Sequence, residues 1–296
     1  MKRIATARWL AGLERGLLAA PWRCREPVLF VLGLPRSGTT LVSQVLVSRA
    51  RVAYFTRGVG RNPRAPVLVS AAQRLRFGPY VSNFASEYGK VRIQNAPREA
   101  GGVWMRFFPR DAYVGAEDLP RDAVVRLRRM VAATQLSFGG LPFVNKNVKH
   151  MLRIPALASA FPRAHFLVVR RDPQDVALSI WRARHKQQSD PQNWWSVRPP
   201  EYAALRDRPV AEQVVGQIVG LRDRMQHDLA NLAPGRVTWL DYASFCARPD
   251  SVFDGLDASG LRLRRIGRAL PPFEVVRHEA RDSAEADLLE KLPDVG

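Results

Sequence analysis

The sequence predicts an α/β fold in which a parallel sheet carries helices on both faces. Three observations lead there. Short, continuous apolar runs alternate with longer stretches of helical spacing, the pattern of strands buried on both faces and joined by crossover helices. The first run stops at a glycine-rich turn that opens a helix. With 296 residues, 46% of them apolar, the chain can bury a sizeable core, which excludes disordered and fibrous classes. No repeat, low-complexity tract or linker interrupts residues 1–296, so one domain is expected.

Taken in order, residues 5–20 read as an amphipathic helix, with Trp9, Leu10, Leu13, Leu17 and Leu18 apolar and Arg8, Glu14 and Arg15 polar. Glu14 and Arg15 break the apolar run that a signal peptide needs, and no stretch reaches the roughly 18 apolar residues of a membrane span. Packing on its own domain is the first reading of this helix; contact with a membrane or partner is the second. The cytoplasm is the expected location, with peripheral contact at the inner membrane surface as that second reading. Residues 28–32 are an apolar run ending in glycine, which suits a buried strand, and 40–48 follow with helical spacing. Residues 142–144, 165–169 and 236–240 are the other strand candidates. Residues 122–137, 149–160, 173–187 and 210–232 read as helices, the third opening with Pro173 at a permitted first-turn position. Two excursions, 57–116 and 188–209, are longer than ordinary connections and are expected to form walls or lids over a site.

The 46 basic and 27 acidic side chains leave a net charge of +19, a field that attracts phosphate, sulfate, nucleic acid or anionic membrane without choosing among them. Lysine occurs only at 2, 90, 146, 149, 186 and 291, so arginine carries most of the charge. Cys24 and Cys246 stand far from any His/Cys cluster and are expected as small core residues, without a disulfide framework or a zinc site.

Gly33-Leu34-Pro35-Arg36-Ser37-Gly38-Thr39-Thr40 lies between the first strand and its helix, where glycines let the backbone curl and several N–H groups converge on one anion. The spacing of Gly33 and Gly38 matches a nucleotide triphosphatase loop, so a P-loop NTPase-like sheet is expected. The lysine that should follow the second glycine is Thr39. Positive charge comes instead from Arg36, with hydroxyls from Ser37, Thr39 and Thr40.

The segment Pro35 to Thr40 resembles the 5′-phosphosulfate loop of the sulfotransferases that use 3′-phosphoadenosine 5′-phosphosulfate. The arginine form is similar to that of Golgi tyrosylprotein sulfotransferases and many bacterial sulfotransferases. A second motif has the family's order: a strand ending in Arg170-Arg171-Asp172-Pro173, with Ser179 eight residues past Arg171. The resemblance implies that Arg171 and Ser179 bind the 3′-phosphate, a role suited to a planar guanidinium and a hydroxyl. Asn145-Lys146-Asn147 resembles the segment whose lysine faces the sulfuryl group. Residues 237–249 look like the strand that ends in Tyr-Glu-x-Leu, with Tyr242 lining the nucleotide site and Ala243 in place of the glutamate. The family's C-terminal nucleotide-gripping loop is not recognisable, and Arg262, Arg264, Arg265 and Arg268 read as a solvated basic face.

The resemblance implies in-line, metal-free sulfuryl transfer to an acceptor hydroxyl or amine, releasing adenosine 3′,5′-bisphosphate. Arg36 and Lys146 are the expected stabilising cations, helped by N–H groups of residues 37–40. The family's base position falls near Arg57, which cannot serve. Glu99, in a Pro-x-Glu segment similar to that of bacterial relatives, is the chosen base, with Glu87, His150 and Asp111 as alternatives. The acceptor is left open among glycans, lipids and small hydroxylated molecules. A P-loop kinase or NTPase would read Asp241 as a magnesium ligand at a strand end, but the missing lysine opposes it. A basic nucleic-acid or membrane-surface module would use Trp194 and Trp195 as stacking platforms. The arginines are dispersed and no recognition motif appears, so nucleic acid is not expected as a partner.

Overall fold

A computed structural model of the chain describes residues 2–86 and 91–293. Their element order is α1 (Lys2–Ala19), β1 (Val28–Leu32), α2 (Thr39–Arg49), α3 (Pro66–Phe77), α4 (Gly101–Trp104), α5 (Arg121–Ser137), β2 (Phe143–Lys146), α6 (Ile154–Ala160), β3 (Ala164–Arg170), α7 (Pro173–Gln187), α8 (Tyr202–Leu205), α9 (Val210–Ala230), β4 (Val237–Asp241), α10 (Tyr242–Ala247), α11 (Ser251–Ala258) and α12 (Ser283–Glu290). The strands form a four-stranded sheet in the order β2-β1-β3-β4, every pair parallel. Helices flank it, as the alternation of apolar runs predicts.

The central strands are buried throughout: all five residues of β1, and every residue of β3 except Arg170. Continuous burial requires the continuous apolar runs read from the sequence. Val31 pairs with Lys146 and Leu32 with Val168, so the ends of neighbouring strands come level. Phe30 anchors the core, packing against Trp104, His150 and Phe166 at ring separations of 6.1, 5.1 and 5.7 Å.

Three expectations change. The helix expected over 149–160 is broken into a 3₁₀ turn (Val148–Leu152) and α6, because Pro155 in the first turn of α6 cannot continue a helix from the preceding residues. The excursion 57–116 contains α3, which Pro66 starts at its first turn. The first helix does not present the faces that its spacing suggests: Glu14 is buried, and Trp9 and Leu13 are exposed. The Glu14 carboxylate accepts from the amides of Val67 and Leu68, both at 3.0 Å, and so caps the open N-terminus of α3 from another element. Cys246 is a core residue as expected, whereas Cys24 is only half-buried. Among the described residues no helix is long and apolar enough to cross a membrane.

Candidate active site

Parallel pairing places the C-terminal ends of all four strands on one edge of the sheet, where open α/β folds bind ligands. There β1 runs into the Gly33 to Thr40 loop, β2 ends on Lys146, β3 is followed by Arg171, and β4 by Tyr242. A cleft of about 590 Å³ on this edge is lined by Arg36, Gly38, Thr39, Thr40, Glu99, Lys146, Arg171 and Tyr242. Four motifs scattered through the sequence thus share one wall. Ser37 is buried in the loop, and Ser179 borders an adjoining hollow that also contains Arg36.

The loop curls by means of left-handed backbone at Arg36 (φ 71°) and Gly38 (φ 90°). A non-glycine residue pays for that conformation, roughly 1–2 kcal/mol, and such strain gathers at ligand sites. At Gly38 no side chain fits: an added Cβ would lie 2.1 Å from Cε2 of Tyr242. The ring of Tyr242 thereby packs directly against the loop at Gly38. Among the described residues the amides of Gly38, Thr39 and Thr40 have no backbone acceptor, as required of donors aimed at an anion at the start of α2. The Ser37 hydroxyl is buried without a partner.

The second motif touches the first. Arg171 Nη1 donates to the carbonyl of Arg36 at 3.1 Å, and Arg36 Nε donates to Ser179 Oγ at 2.8 Å. The Arg171 guanidinium also lies 5.1 Å from the Tyr242 ring centroid, pairs with Asp175 and donates to the carbonyl of Val276. Burial pushes the Tyr242 hydroxyl up to about 12, so it stays protonated.

The third motif holds Glu99. Asn145 Nδ2 donates to the carbonyl of Arg98 (3.2 Å), Lys146 Nζ to Glu99 Oε1, and Asn147 Nδ2 to the carbonyl of Glu99 (3.1 Å). Trp104 Nε1 donates to the same Glu99 carbonyl at 3.0 Å. These bonds fix a segment whose next residue, Ala100, is itself left-handed at φ 54°. His150, one of the alternative bases, is fully buried: Nε2 meets Asn145 Oδ1 at 3.0 Å, and burial holds its pKa well below the usual histidine range. It stands behind the site as a neutral spacer. Asp111 is engaged by Lys149 and lines neither the cleft nor the pocket beside it. Glu87 lies outside the described residues. Arg57, near the family's usual base position, donates to the carbonyl of Arg92 at 2.6 Å.

The excursion 188–209, expected as a wall or lid, lines the cleft, and other lining residues lie outside every motif read from the sequence. Trp195 and Ser196 come from the second excursion, tied down by Gln217 Nε2, which donates to the carbonyls of Trp195 (3.0 Å) and Val197 (2.7 Å). Val276 and His278 return from the C-terminal segment, where the His278 amide donates to Asp175 Oδ1 at 2.7 Å. The C-terminal region therefore does reach the cleft, through these residues rather than through Arg262 to Arg268. Asp241, the magnesium ligand of the kinase reading, caps α10 by accepting from the amide (2.8 Å) and hydroxyl (2.7 Å) of Ser244.

A family model described as the sulfotransferase family matches residues 27–258. The chain belongs to the sulfotransferase family. Among solved structures, sulfotransferase STF9 from Mycobacterium avium aligns over 86% of this chain and 68% of its own, with a TM-score of 0.55 and 16% identity. Sulfotransferase STF1 from Mycobacterium tuberculosis H37Rv aligns over 96% of this chain and 76% of its own, with a TM-score of 0.53 and 14% identity. At these identities the likeness is one of sulfotransferase fold. No curated protein sequence matches the chain. As a sulfotransferase the protein is an enzyme that moves a sulfuryl group, and the family match spans all four of the strand ends described above.

Proposed function

We propose that the protein, as one domain over residues 1–296, transfers a sulfuryl group from 3′-phosphoadenosine 5′-phosphosulfate to an acceptor hydroxyl or amine, in line and without a metal ion. The observation that carries this reading is the meeting of the two phosphate motifs, with Arg171 donating to the carbonyl of Arg36 inside one cleft that also contains Lys146 and Glu99. The donor set fits an anionic nucleotide. Arg36, Lys146 and Arg171 bring positive charge, and the amides of residues 38–40 and the orphaned Ser37 hydroxyl supply unused hydrogen-bonding groups. Among the described residues no group of three or more His, Cys, Asp or Glu side chains is placed to hold a metal ion.

In this reading the loop amides and the hydroxyls of Thr39 and Thr40 hold the 5′-phosphosulfate, while Arg171 and Ser179 favour a 3′-phosphorylated nucleotide over ATP. Tyr242 covers the loop and keeps water from it. Glu99 takes the proton of the acceptor hydroxyl. The acceptor oxygen bonds to sulfur as the bond between sulfur and the bridging oxygen breaks, and that oxygen leaves with the electron pair on adenosine 3′,5′-bisphosphate. Lys146 and Arg36 stabilise the charge gathering there. A nucleotide sulfate donor and a hydroxylated acceptor are thus the partners. An assay with labelled sulfate donor, scoring label on the acceptor and release of adenosine 3′,5′-bisphosphate, tests the reading. Release of inorganic phosphate from ATP with magnesium instead would support the kinase or NTPase class.

A further inference from the structure

Beside the donor cleft lies a smaller pocket of about 260 Å³, which shares Thr40, Glu99 and Lys146 with it. Among the described residues its remaining polar lining is Ser43, Gln44 and Arg98. Ser43 is 5% exposed and lines the pocket, and its hydroxyl makes no hydrogen bond to the described residues, so a donor and acceptor is open to a ligand there. The Gln44 amide is already committed, to the carbonyl of Ala85 and to Ser82 Oγ. Among the described residues no aromatic ring lines the pocket, and its volume lies below the roughly 300–1,000 Å³ of sites for drug-sized ligands. It suits a single sugar ring. An acyl chain would find too little apolar wall.

Charge narrows the class further. Arg98 at the pocket is exposed, and its guanidinium has no hydrogen bond or ion pair among the described residues. The bridge between Thr56 and Pro97, with the Arg98 amide donating to the carbonyl of Phe55 at 2.8 Å, fixes the backbone that carries it. From Pro27 to Ser86 the chain has eight arginines and neither aspartate nor glutamate. Among the described residues Glu99 is the one carboxylate lining the pocket, and Lys146 already neutralises it. Among the described residues no carboxylate pairs with the Arg98 guanidinium, and its charge at this mouth favours an anionic ligand.

We propose that this pocket takes an acidic sugar as the sulfate acceptor: one ring of a uronate-bearing glycan, with a hydroxyl facing Glu99 and Lys146, another facing Ser43, and its carboxylate on Arg98. The assignment rests on the sulfotransferase reading above and names its acceptor class. Arg98 is the specificity-determining residue, because a guanidinium pairs with a carboxylate through two parallel bonds that a neutral sugar lacks.

The test uses the full chain with the labelled donor and paired acceptors: methyl glycosides of glucose, galactose and mannose, and the same glycosides oxidised to uronic acids. A phenol and a long-chain alcohol in neutral lipid vesicles complete the panel. The proposal expects at least one uronide to exceed its neutral partner in kcat/KM by about tenfold or more, with an advantage that shrinks as salt is raised. Arg98→Ala should collapse that advantage, while Arg98→Lys should restore part of it. A melting shift of wild-type size with adenosine 3′,5′-bisphosphate establishes that the variants are folded. Preference for the phenol, the lipid alcohol or the neutral glycosides, an Arg98→Ala loss equal on both members of a pair, or no labelled product despite nucleotide binding overturns the acceptor class alone. Failure of the wild-type chain to bind adenosine 3′,5′-bisphosphate overturns the underlying sulfotransferase donor site, and this proposal with it.

Discussion

Lys146 donates a hydrogen bond from Nζ to Glu99 Oε1, so the cation that we propose faces the sulfuryl group and the carboxylate that we propose faces the acceptor hold each other. The pair is asymmetric: the Lys146 side chain is 9% exposed and that of Glu99 38%. In the proposed mechanism Glu99 is therefore the member that meets an incoming acceptor, and Lys146 the one sheltered beside the donor. Each should fail in its own way. Lys146→Ala is expected to lower turnover by about a hundredfold or more at every pH, the usual cost of losing one preorganised donor to a transition state. Glu99→Gln should remove the acidic limb of the rate profile, which reports ionisation of the base. Rate profiles of the folded variants check both, and an unaltered Glu99→Gln profile would remove Glu99 as the base.

Arg171 is tied to the carbonyls of Arg36 and Val276 as well as to Asp175. Its loss should loosen the whole cleft, so the informative quantity is a ratio. Calorimetric titration with adenosine 3′,5′-bisphosphate and with adenosine 5′-monophosphate should reveal a preference for the bisphosphate. Arg171→Ala should cut it by on the order of 1.5–3 kcal/mol, the worth of a charge-assisted contact. Equal weakening of both nucleotides would assign Arg171 to the fold alone.

Gly38 faces two obstacles to substitution, a left-handed φ of 90° and the Tyr242 ring. Gly38→Ala should displace the ring or the loop, abolish the melting shift with adenosine 3′,5′-bisphosphate and cost more than the roughly 1–2 kcal/mol of backbone strain alone. Tyr242→Phe keeps the ring and should retain that shift. Nucleotide binding by Gly38→Ala at wild-type strength would contradict the packing described.

Two buried histidines set an acid limit on stability. Burial holds His150 well below its usual range and, with Arg236 nearby, brings His165 down to about 4. In the unfolded chain both titrate near 6.5. The unfolded state therefore takes up protons that the native state refuses: the stability is full above about pH 6.5 and is lost as pH falls towards about 4. Urea midpoints should decline from pH 7 to pH 5, less steeply for His165→Gln, which keeps a polar partner for Thr238 Oγ1, 2.7 Å from the native ring. Parallel slopes would contradict the assignment.

The site residues legible in the sequence are those fixed by a strand end. Arg171 and Tyr242 directly follow β3 and β4, and Lys146 closes β2, so a buried apolar run locates each without knowledge of the rest of the fold. Glu99 was legible only by resemblance, since its segment has no regular element before α4. Its position is set by Asn145, Asn147 and Trp104, whose side-chain bonds to its backbone have no periodic signature. Trp195, Ser196, Val276 and His278 arrive through long irregular segments held by Gln217 and Asp175, contacts that span the chain. Glu14 misled for the same reason. Its place on a helix face follows from spacing, but its burial follows from the unsatisfied amides of α3.

The central claim, that this cleft binds a 3′-phosphorylated adenosine nucleotide in a sulfotransferase site, is tested most directly by one melting experiment. Adenosine 3′,5′-bisphosphate is compared with ATP plus magnesium. A ligand at a hundred times its dissociation constant adds about 2.7 kcal/mol, a shift that melting resolves. The account predicts a clear rise in melting temperature with the bisphosphate and a much smaller one with ATP and magnesium. Equal shifts, or a larger one with ATP and magnesium, would contradict it.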